Sequence, residues 1–410
     1  MSRQVAPLGR RTTAAIVLII MTLVLTSCWN RRELNTLGIA LALGIDSSPD
    51  GTVKVSAQIA NVSAIAAKRG NRTAAPVIVI QKTGRTLVEA LRKMTTELPR
   101  KVYLSHMRML VISEEVAKQG ISRLLDLSRD HEMRGDFYLV IAKDTTAKHV
   151  LEIISPMEPM PAQNLYSSLE ISEVSWAPTK GVLMNDFIQQ TLKPGINPVL
   201  PGVMVTHPDS KENSVENINK SSDFTMNTYT TLGVFRNDKL IGWLNESDSK
   251  GYNYIRGNVK SSIGVIPCSK EGNIGIEIMK SSSHIKAKFE NNQPVIYGQV
   301  KLDVNISDVS CNKDITNIEY MKELEMELEQ SLLVMLKNVV SHVQQKYKSD
   351  IFGFGEAIHR SNPKYWKKIR SQWVDIFPTV PVKLTTRIQI HQTGTQSNTY
   401  MNYQSKEMRP

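Results

Sequence analysis

The chain has 410 residues, with 50 Lys and Arg against 39 Asp and Glu, giving a formal charge of +11 and a pI near 9.4. That length predicts two or three domains, and 41% apolar with 22% charged residues excludes a disordered chain and a polytopic membrane protein. Three cysteines exclude a disulfide scaffold, and the paired Cys-x-x-Cys spacing of a zinc finger does not occur.

Arg3, Arg10 and Arg11 precede an apolar run from Ala14 to Leu25. A run of about 12 residues is too short for a spanning helix, which needs ~20, so residues 1–27 read as a secretory signal peptide. Leu25-Thr26-Ser27-Cys28 has the form of a bacterial lipobox: a branched apolar residue, two small ones, then cysteine. The Cys28 thiol forms a thioether with diacylglycerol in such proteins, and two or three acyl chains anchor a body stably where one gives marginal binding. Lipobox chemistry implies prolipoprotein diacylglyceryl transferase and lipoprotein signal peptidase as maturation partners. The leader carries three arginines, so the mature charge falls from +11 to +8. A basic body gains attraction to anionic headgroups, while export and diffuse charge argue against nucleic acid as a partner.

Leu37, Ile39, Leu41, Leu43 and Ile45 alternate with Gly38, Ala40, Ala42 and Gly44, which predicts a strand with one large face and one face small enough for close packing. Asp50-Gly51 turns the chain, and Val53, Val55, Ala57 and Ile59 complete a hairpin. After a small, polar loop (residues 64–75), residues 77–80 read as a strand. Leu87, Ala90, Leu91, Met94 and Leu98 then predict a helix preceded by Thr83 and stopped by Pro99. Residues 101–112 read as one strand, 113–127 as a helix, 136–142 as a strand and 145–154 as a short helix. Pro194-Gly195, Pro201-Gly202 and Pro208-Asp209 then suggest a connection. This sets a mixed α/β region over 28–200, of one or two subdomains, and a linker over 201–227.

Strand-like runs at 229–235, 239–244, 262–266, 274–280, 285–289 and 295–306 predict a largely antiparallel sheet. Ile318, Met321, Leu324, Leu328, Leu332, Met335, Leu336, Val339 and Val343 form the core stripe of one long helix lying along it. A shorter helix starts at Asn362-Pro363, and Val380 to Ile390 alternate as a closing strand. The class is therefore α+β: several mixed α/β domains, with a C-terminal domain over 228–395 whose antiparallel sheet is packed by a long helix. Residues 396–410 read as a disordered tail.

Catalytic signatures such as Gly-x-Ser-x-Gly, His-Glu-x-x-His and Walker A do not occur in the mature sequence. Phe352-Gly353-Phe354-Gly355 precedes a helix without a phosphate-binding lysine and reads as a turn. His106, His131, His284, His342 and His359 have no metal-ligand spacing, so no metal, cofactor or catalytic residue is assigned. Arg129, Asp130, Glu132 and Arg134 read as an ion-paired corner or, alternatively, a partner-contacting group. Whether Cys268 and Cys311 are bridged is left open by the sequence.

Cys28-Trp29-Asn30-Arg31-Arg32-Glu33-Leu34-Asn35, followed by Gly44-Ile45-Asp46, is similar to the start of mature Ger(x)C lipoproteins, the C subunits of spore germinant receptors. Ser105-His106, Arg129 to Arg134, Leu240 to Leu244, Asp350 to Gly355, Trp373 and Gly394 extend the resemblance to about residue 395; Asn30 departs from the Asp common there. The resemblance implies a non-enzymatic, lipid-anchored protein on the outer face of the spore inner membrane, beside integral-membrane A and B subunits, and needed for the response to nutrients. Trp29, Arg31, Arg32 and Glu33 form the juxtamembrane segment, a candidate docking surface. The competing expectation is an extracytoplasmic solute-binding lipoprotein that takes the germinant directly, in a cleft between the two main regions.

Overall fold

A computed structural model describes residues 9, 12–17, 33, 36–66, 74–125, 133–209, 211–268, 272–311 and 313–392. In chain order the elements used below are β1 (Leu37–Ser47), β2 (Val53–Ala60), β3 (Val77–Gly84), α1 (Leu87–Lys93), β4 (Lys101–Tyr103), β5 (Met109–Ser113), α2 (Glu114–Gln119), β6 (Tyr138–Ala142), α3 (Ala147–Glu152), α4 (Pro161–Ser175), α5 (Met184–Leu192) and β7 (Val199–Thr206). They continue with β8 (Met226–Arg236), β9 (Lys239–Trp243), α6 (Glu246–Arg256), β10 (Ser262–Pro267), β11 (Asn273–Glu290), β12 (Gln293–Val309), α7 (Ile318–His342), α8 (Phe354–Ser361), α9 (Pro363–Ile369) and β13 (Val382–Gln392). The fold is α+β, with two sheets among the described residues.

The first sheet runs β3-β2-β1-β5-β6-β7-β8-β9, with β4 paired to the start of β1. Its centre, β1, β5, β6 and β7, is parallel, and antiparallel pairs close either side. The two faces of β1 follow their side-chain sizes only from Ala42 onward: a bulge at Ala40–Ala42 swaps the faces, so Ala40 joins the core of Leu43 and Ile45 while Leu41 packs on the side of Ala42. Leu43 and Ile45 enter a core with α1 and α2, whereas Ala42 enters another with α3 and α4. A Cβ on Gly44 would meet Leu151 at 3.0 Å and the Ala147 backbone at 3.2 Å, so α3 lies directly on the small face. Buried Gln58 ties this layer together, donating to the Leu151 carbonyl at 2.7 Å and accepting the Ala162 N–H at 3.0 Å.

The second sheet runs β10-β11-β12-β13, antiparallel except that β13 lies parallel to β12. Along α7, Leu324, Leu328, Leu332, Leu336 and Val339 are buried as the sequence stripe predicts, joined by Val340, while Ile318 at the helix start is exposed rather than core. The acidic residues flanking that stripe have a second task. Glu325 and Glu329 accept the N–H groups of Ile390 and Ile388 at 2.8 and 2.9 Å, which closes the open edge of β13. Cys268 and Cys311 form a disulfide with 6.3 Å between Cα atoms, joining the end of β10 to the segment after β12.

The expected boundary needs correction. β7 begins before residue 201, so the 201–227 linker is partly strand, and β8 and β9 complete the first sheet rather than start the second domain. Val199, Leu232 and Val234 meanwhile belong to the core beneath the second sheet, so one core crosses the boundary. Pro201-Gly202 marks a register shift in the β7–β8 ladder, where a residue without an N–H donor is tolerated. The predicted strand 101–112 is likewise two, separated at residues 104–108. The cap of α1 is Thr86, not Thr83: Thr86 Oγ1 accepts the Glu89 N–H while Glu89 accepts the Arg85 N–H.

Candidate functional site

α2 and α3 follow the adjacent parallel strands β5 and β6 but pack on opposite faces of the sheet: Val116 and Ala117 join the α1 side, Val150 and Leu151 the other. The loops at the carboxyl ends of these strands therefore diverge and leave a crevice, the position where open parallel sheets bind ligands. A cleft of about 900 Å³ opens there, lined by the ends of β1, β5 and β6.

The lining is ionic and hydroxylic, with Asp46, Glu114, Glu115 and Asp144 facing Lys54, Lys118 and Lys148 among serines and threonines. Asp46 occupies the amino end of α3, accepting the N–H groups of Ala147 and Lys148 at 2.7 and 3.0 Å. Burial pushes its carboxyl above the usual range, against the pull of those two donors. Burial also opposes ionisation of Glu114, yet Lys118 at 2.7 Å and the Trp243 indole at 3.2 Å hold its carboxyl below the usual range. Ser47 donates to Glu115. No hydrogen bond or ion pair among the described residues engages the Lys54 ammonium or the Asp144 carboxylate. With the helix N–H groups taken and no aromatic side chain in the lining, the cleft suits a small polar or zwitterionic solute rather than a phosphate or a nucleobase.

A second constellation joins the two sheets. Fully buried Asp350 accepts the N–H groups of Phe352, Gly353 and Phe354 at 3.1, 2.8 and 3.1 Å through one oxygen. The other takes Gly355 at 2.7 Å and the Trp373 indole at 3.2 Å. The Phe-Gly-Phe-Gly turn is thus a nest filled by the chain's own carboxylate. Burial raises the Asp350 pKa to about 6, against the pull of the Gly355, Phe354 and Gly353 N–H groups and the Trp373 indole. The α5–β7 loop docks against the nest: Asn197 N–H donates to the Asp350 carbonyl at 2.7 Å, Glu356 N–H to the Gly195 carbonyl at 3.2 Å, and Lys193 pairs with Glu356 at 2.7 Å.

Of the sequence candidates, Cys28, Trp29, Arg31, Arg32, Arg129, Asp130 and Glu132 lie outside the described residues. Glu33 is exposed, and its carbonyl accepts both the N–H and the hydroxyl of Thr36, the residue before β1. Arg134 is exposed before β6. The cleft residues were not singled out by sequence as a site, although acidic and hydroxyl residues directly following two buried strands, Ser113-Glu114-Glu115 and Asp144-Thr145-Thr146, were the available signal. The expected cleft between the two main regions is not where this one lies: it belongs wholly to the first sheet.

Two family models match consecutive parts of the chain: a spore germination protein N-terminal domain over residues 30–205, and a spore germination B3/GerAC-like C-terminal domain over 230–394. Among curated proteins of Bacillus subtilis (strain 168), Spore germination protein KC is 27% identical, covering 95% of this chain and 97% of that protein. Spore germination protein B3 is 24% identical over 92% and 97%, and Spore germination protein A3 23% identical over 93% and 98%. The crystal structure of the GerBC protein superposes with a TM-score of 0.54 at 19% identity, covering 85% of this chain and 96% of that one, and so shares the fold.

Proposed function

The chain belongs to the Ger(x)C family of spore germination proteins, and on that premise we propose that it is a lipid-anchored, non-catalytic subunit of a germinant receptor, needed for dormant spores to respond to nutrients. The observation that carries this reading is the end-to-end match with germination proteins, spanning 97% of Spore germination protein KC, together with the lipobox at Leu25 to Cys28. The site of action is the outer face of the spore inner membrane, beside integral-membrane A and B subunits. Cys28 carries the diacylglyceryl anchor after processing by the transferase and the lipoprotein signal peptidase. Confinement to two dimensions raises the effective concentration of the body near those partners without any new contact.

On this reading the start of β1 is the part of the first sheet joined to the anchor. Eight residues lie between Cys28 and Leu37, so the nine steps of chain reach at most ~32 Å. β1 then carries the chain ~33 Å to the cleft, which therefore lies at the end of β1 remote from the anchored residue.

The test is nutrient-triggered dipicolinate release from spores carrying Cys28→Ala, compared with wild type and deletion, with the protein's persistence checked. Release as poor as the deletion, with non-nutrient germination intact, is expected. Normal release would remove anchoring from the account.

A second reading, direct binding of the germinant by this chain, draws on the crevice at the ends of β1, β5 and β6. Calorimetry of the purified mature protein with amino acids and sugars decides it: heat that saturates supports a solute-binding role, and its absence leaves the receptor-subunit role alone.

A further inference from the structure

The second sheet is packed by α6, α7 and α8 on one face and turns the other to solvent. Outward positions of β11, β12 and β13 carry Lys280, Lys286, Lys288, Lys301, Lys383 and Arg387, all exposed, against Glu290 and Asp303. The acids Glu277 and Asp308 stand apart, toward β10. The ladder sets Lys301 directly opposite Arg387, and Lys286 and Lys288 are successive outward residues of one strand. Like charges facing each other across strands destabilise a sheet, so stability alone does not select this arrangement.

Local pairing relieves part of it. Lys383 meets Glu290 at 2.9 Å and Asp303 meets His391 at 3.3 Å, while Arg387 lies 3.7 Å from Glu329 with its side chain 74% exposed. The strand edge beside this face is closed by Glu325 and Glu329, which disfavours an added peptide strand as the occupant. An extended cationic plane, indented by a depression of about 80 Å³ at Ser282, His284, Gln299 and Lys301 that is too small for a peptide side-chain array, complements an extended anionic plane.

We propose that the outward face of β11, β12 and β13 docks on the anionic headgroups of a lipid bilayer, so that the body is held by its C-terminal domain as well as by its tether. The inference rests on the anchored reading, which supplies the proximity. Lysines near an anionic leaflet each strengthen attachment by about fivefold, and the attraction weakens with salt.

The test uses the mature lipidated protein reconstituted in vesicles of phosphatidylcholine, alone or with about 30% phosphatidylglycerol as the anionic lipid. A fluorophore on Thr385→Cys, exposed on the face, reports contact through quenching by headgroup spin-labelled lipid; Met157→Cys, 90% exposed on a loop of the first domain, is the control site. Quenching at residue 385 but not 157 is expected only with phosphatidylglycerol. It should fall severalfold at 0.5 M salt (roughly a 4 Å screening length) and in the Lys286→Gln, Lys288→Gln, Lys301→Gln variant. A protein that floats with the vesicles but leaves residue 385 unquenched overturns the docking face while keeping the anchor. A protein that fails to float overturns the anchor, and with it this proposal. Protection of residue 385 in spore membranes but not in vesicles assigns the face to an acidic protein partner and likewise overturns the lipid assignment.

Discussion

Gly195 and Gly355 meet backbone to backbone: a Cβ built on Gly195 would lie 2.5 Å from the Gly355 carbonyl carbon, and one on Gly355 would lie 2.7 Å from the Gly195 Cα. Gly195 also has φ of +80°, where a side chain is strained. Gly355 is enclosed further by Trp366 and Trp373, 2.7 and 2.9 Å from the same built atom. This contact joins the loop before β7 to the nest around Asp350. Gly355→Ala is therefore expected to destabilise the protein by ~3 kcal/mol or more, with Gly195→Ala close behind. Gly51→Ala, at a comparable φ of +76° but in open space, should cost only ~1 kcal/mol. Urea unfolding of the three variants checks the ranking, and equal losses would refute close approach as the cause.

The Asp350 carboxylate makes stability depend on pH in a definite direction. Its folded pKa, about 6, stands above the unfolded value of 3.8, so the native state binds the extra proton between these values. Stability from this group is full below about pH 4 and is lost as pH rises through about 6, by ~3 kcal/mol at most. Asp350→Asn removes the titration and leaves some nest donors unpaired, so it is less stable at every pH. The gap between wild type and Asp350→Asn should narrow from pH 4 to pH 7 in denaturant titrations. A constant gap contradicts the assignment.

How far the sequence predicts the molecule depends on how local each determinant is. The second half of β1, the α7 stripe after its first turn and the strand character of the second sheet are periodic over short windows and recur in the structure, whereas the bulge in β1 and the fusion of 274–280 with 285–289 into one strand, β11, depend on cross-strand partners. α4 has no clear periodic signal in the sequence, because its buried Ala162, Leu165 and Leu169 share the helix with exposed Ile171 and Val174, which blurs the face. Assigning β8 and β9 to the first sheet depends on partners in β7, and the Pro201-Gly202 signal of a break proved to be a ladder irregularity. The cleft and the Asp350 nest arise where distant segments converge, as when Asp46 binds the amide of Ala147. No spacing along the chain encodes that.

The Cys268–Cys311 bridge closes a loop across 43 residues, a length for which loop-closure entropy gives about 4 kcal/mol. Cys268→Ser with Cys311→Ser should lower stability by ~2–4 kcal/mol, and reduction of the wild-type protein should shift its unfolding midpoint by a similar amount. Lack of any shift on reduction, with free thiols counted before and after, would show that the bridge does not form in the exported protein.

Glu325 and Glu329 act through backbone N–H groups of β13, so removing them should be felt as an opened edge rather than as a lost ion pair. Glu325→Ala with Glu329→Ala is expected to cost ~2–4 kcal/mol in total, since a hydrogen bond to a charged group contributes ~1.5–3 kcal/mol. It should also raise the tendency to self-associate through β13. The Gln variants keep an acceptor oxygen and should recover most of the loss. Hydrogen exchange at Ile388 and Ile390 reads this directly: faster exchange in the Ala pair but not the Gln pair is the expected pattern, and unchanged protection in both would deny the capping role.

Asp144 and Lys54 line the cleft without the structural hydrogen bonds that occupy Asp46 and Glu114, so they separate use of the cleft from its maintenance. Asp144→Asn with Lys54→Gln should leave stability within ~0.5 kcal/mol of wild type. If the crevice takes a solute or a partner group in the receptor, spores carrying this pair should release dipicolinate more slowly with nutrients but normally with non-nutrient triggers. Asp46→Asn is the contrasting variant. It keeps one acceptor at the amino end of α3, loses the other, and should lower stability by ~1–3 kcal/mol, moving germination only through the amount of folded protein. Wild-type germination kinetics in the Asp144 and Lys54 pair, at equal protein abundance, would remove the cleft from the mechanism and leave its charged lining as a solvated end of the sheet.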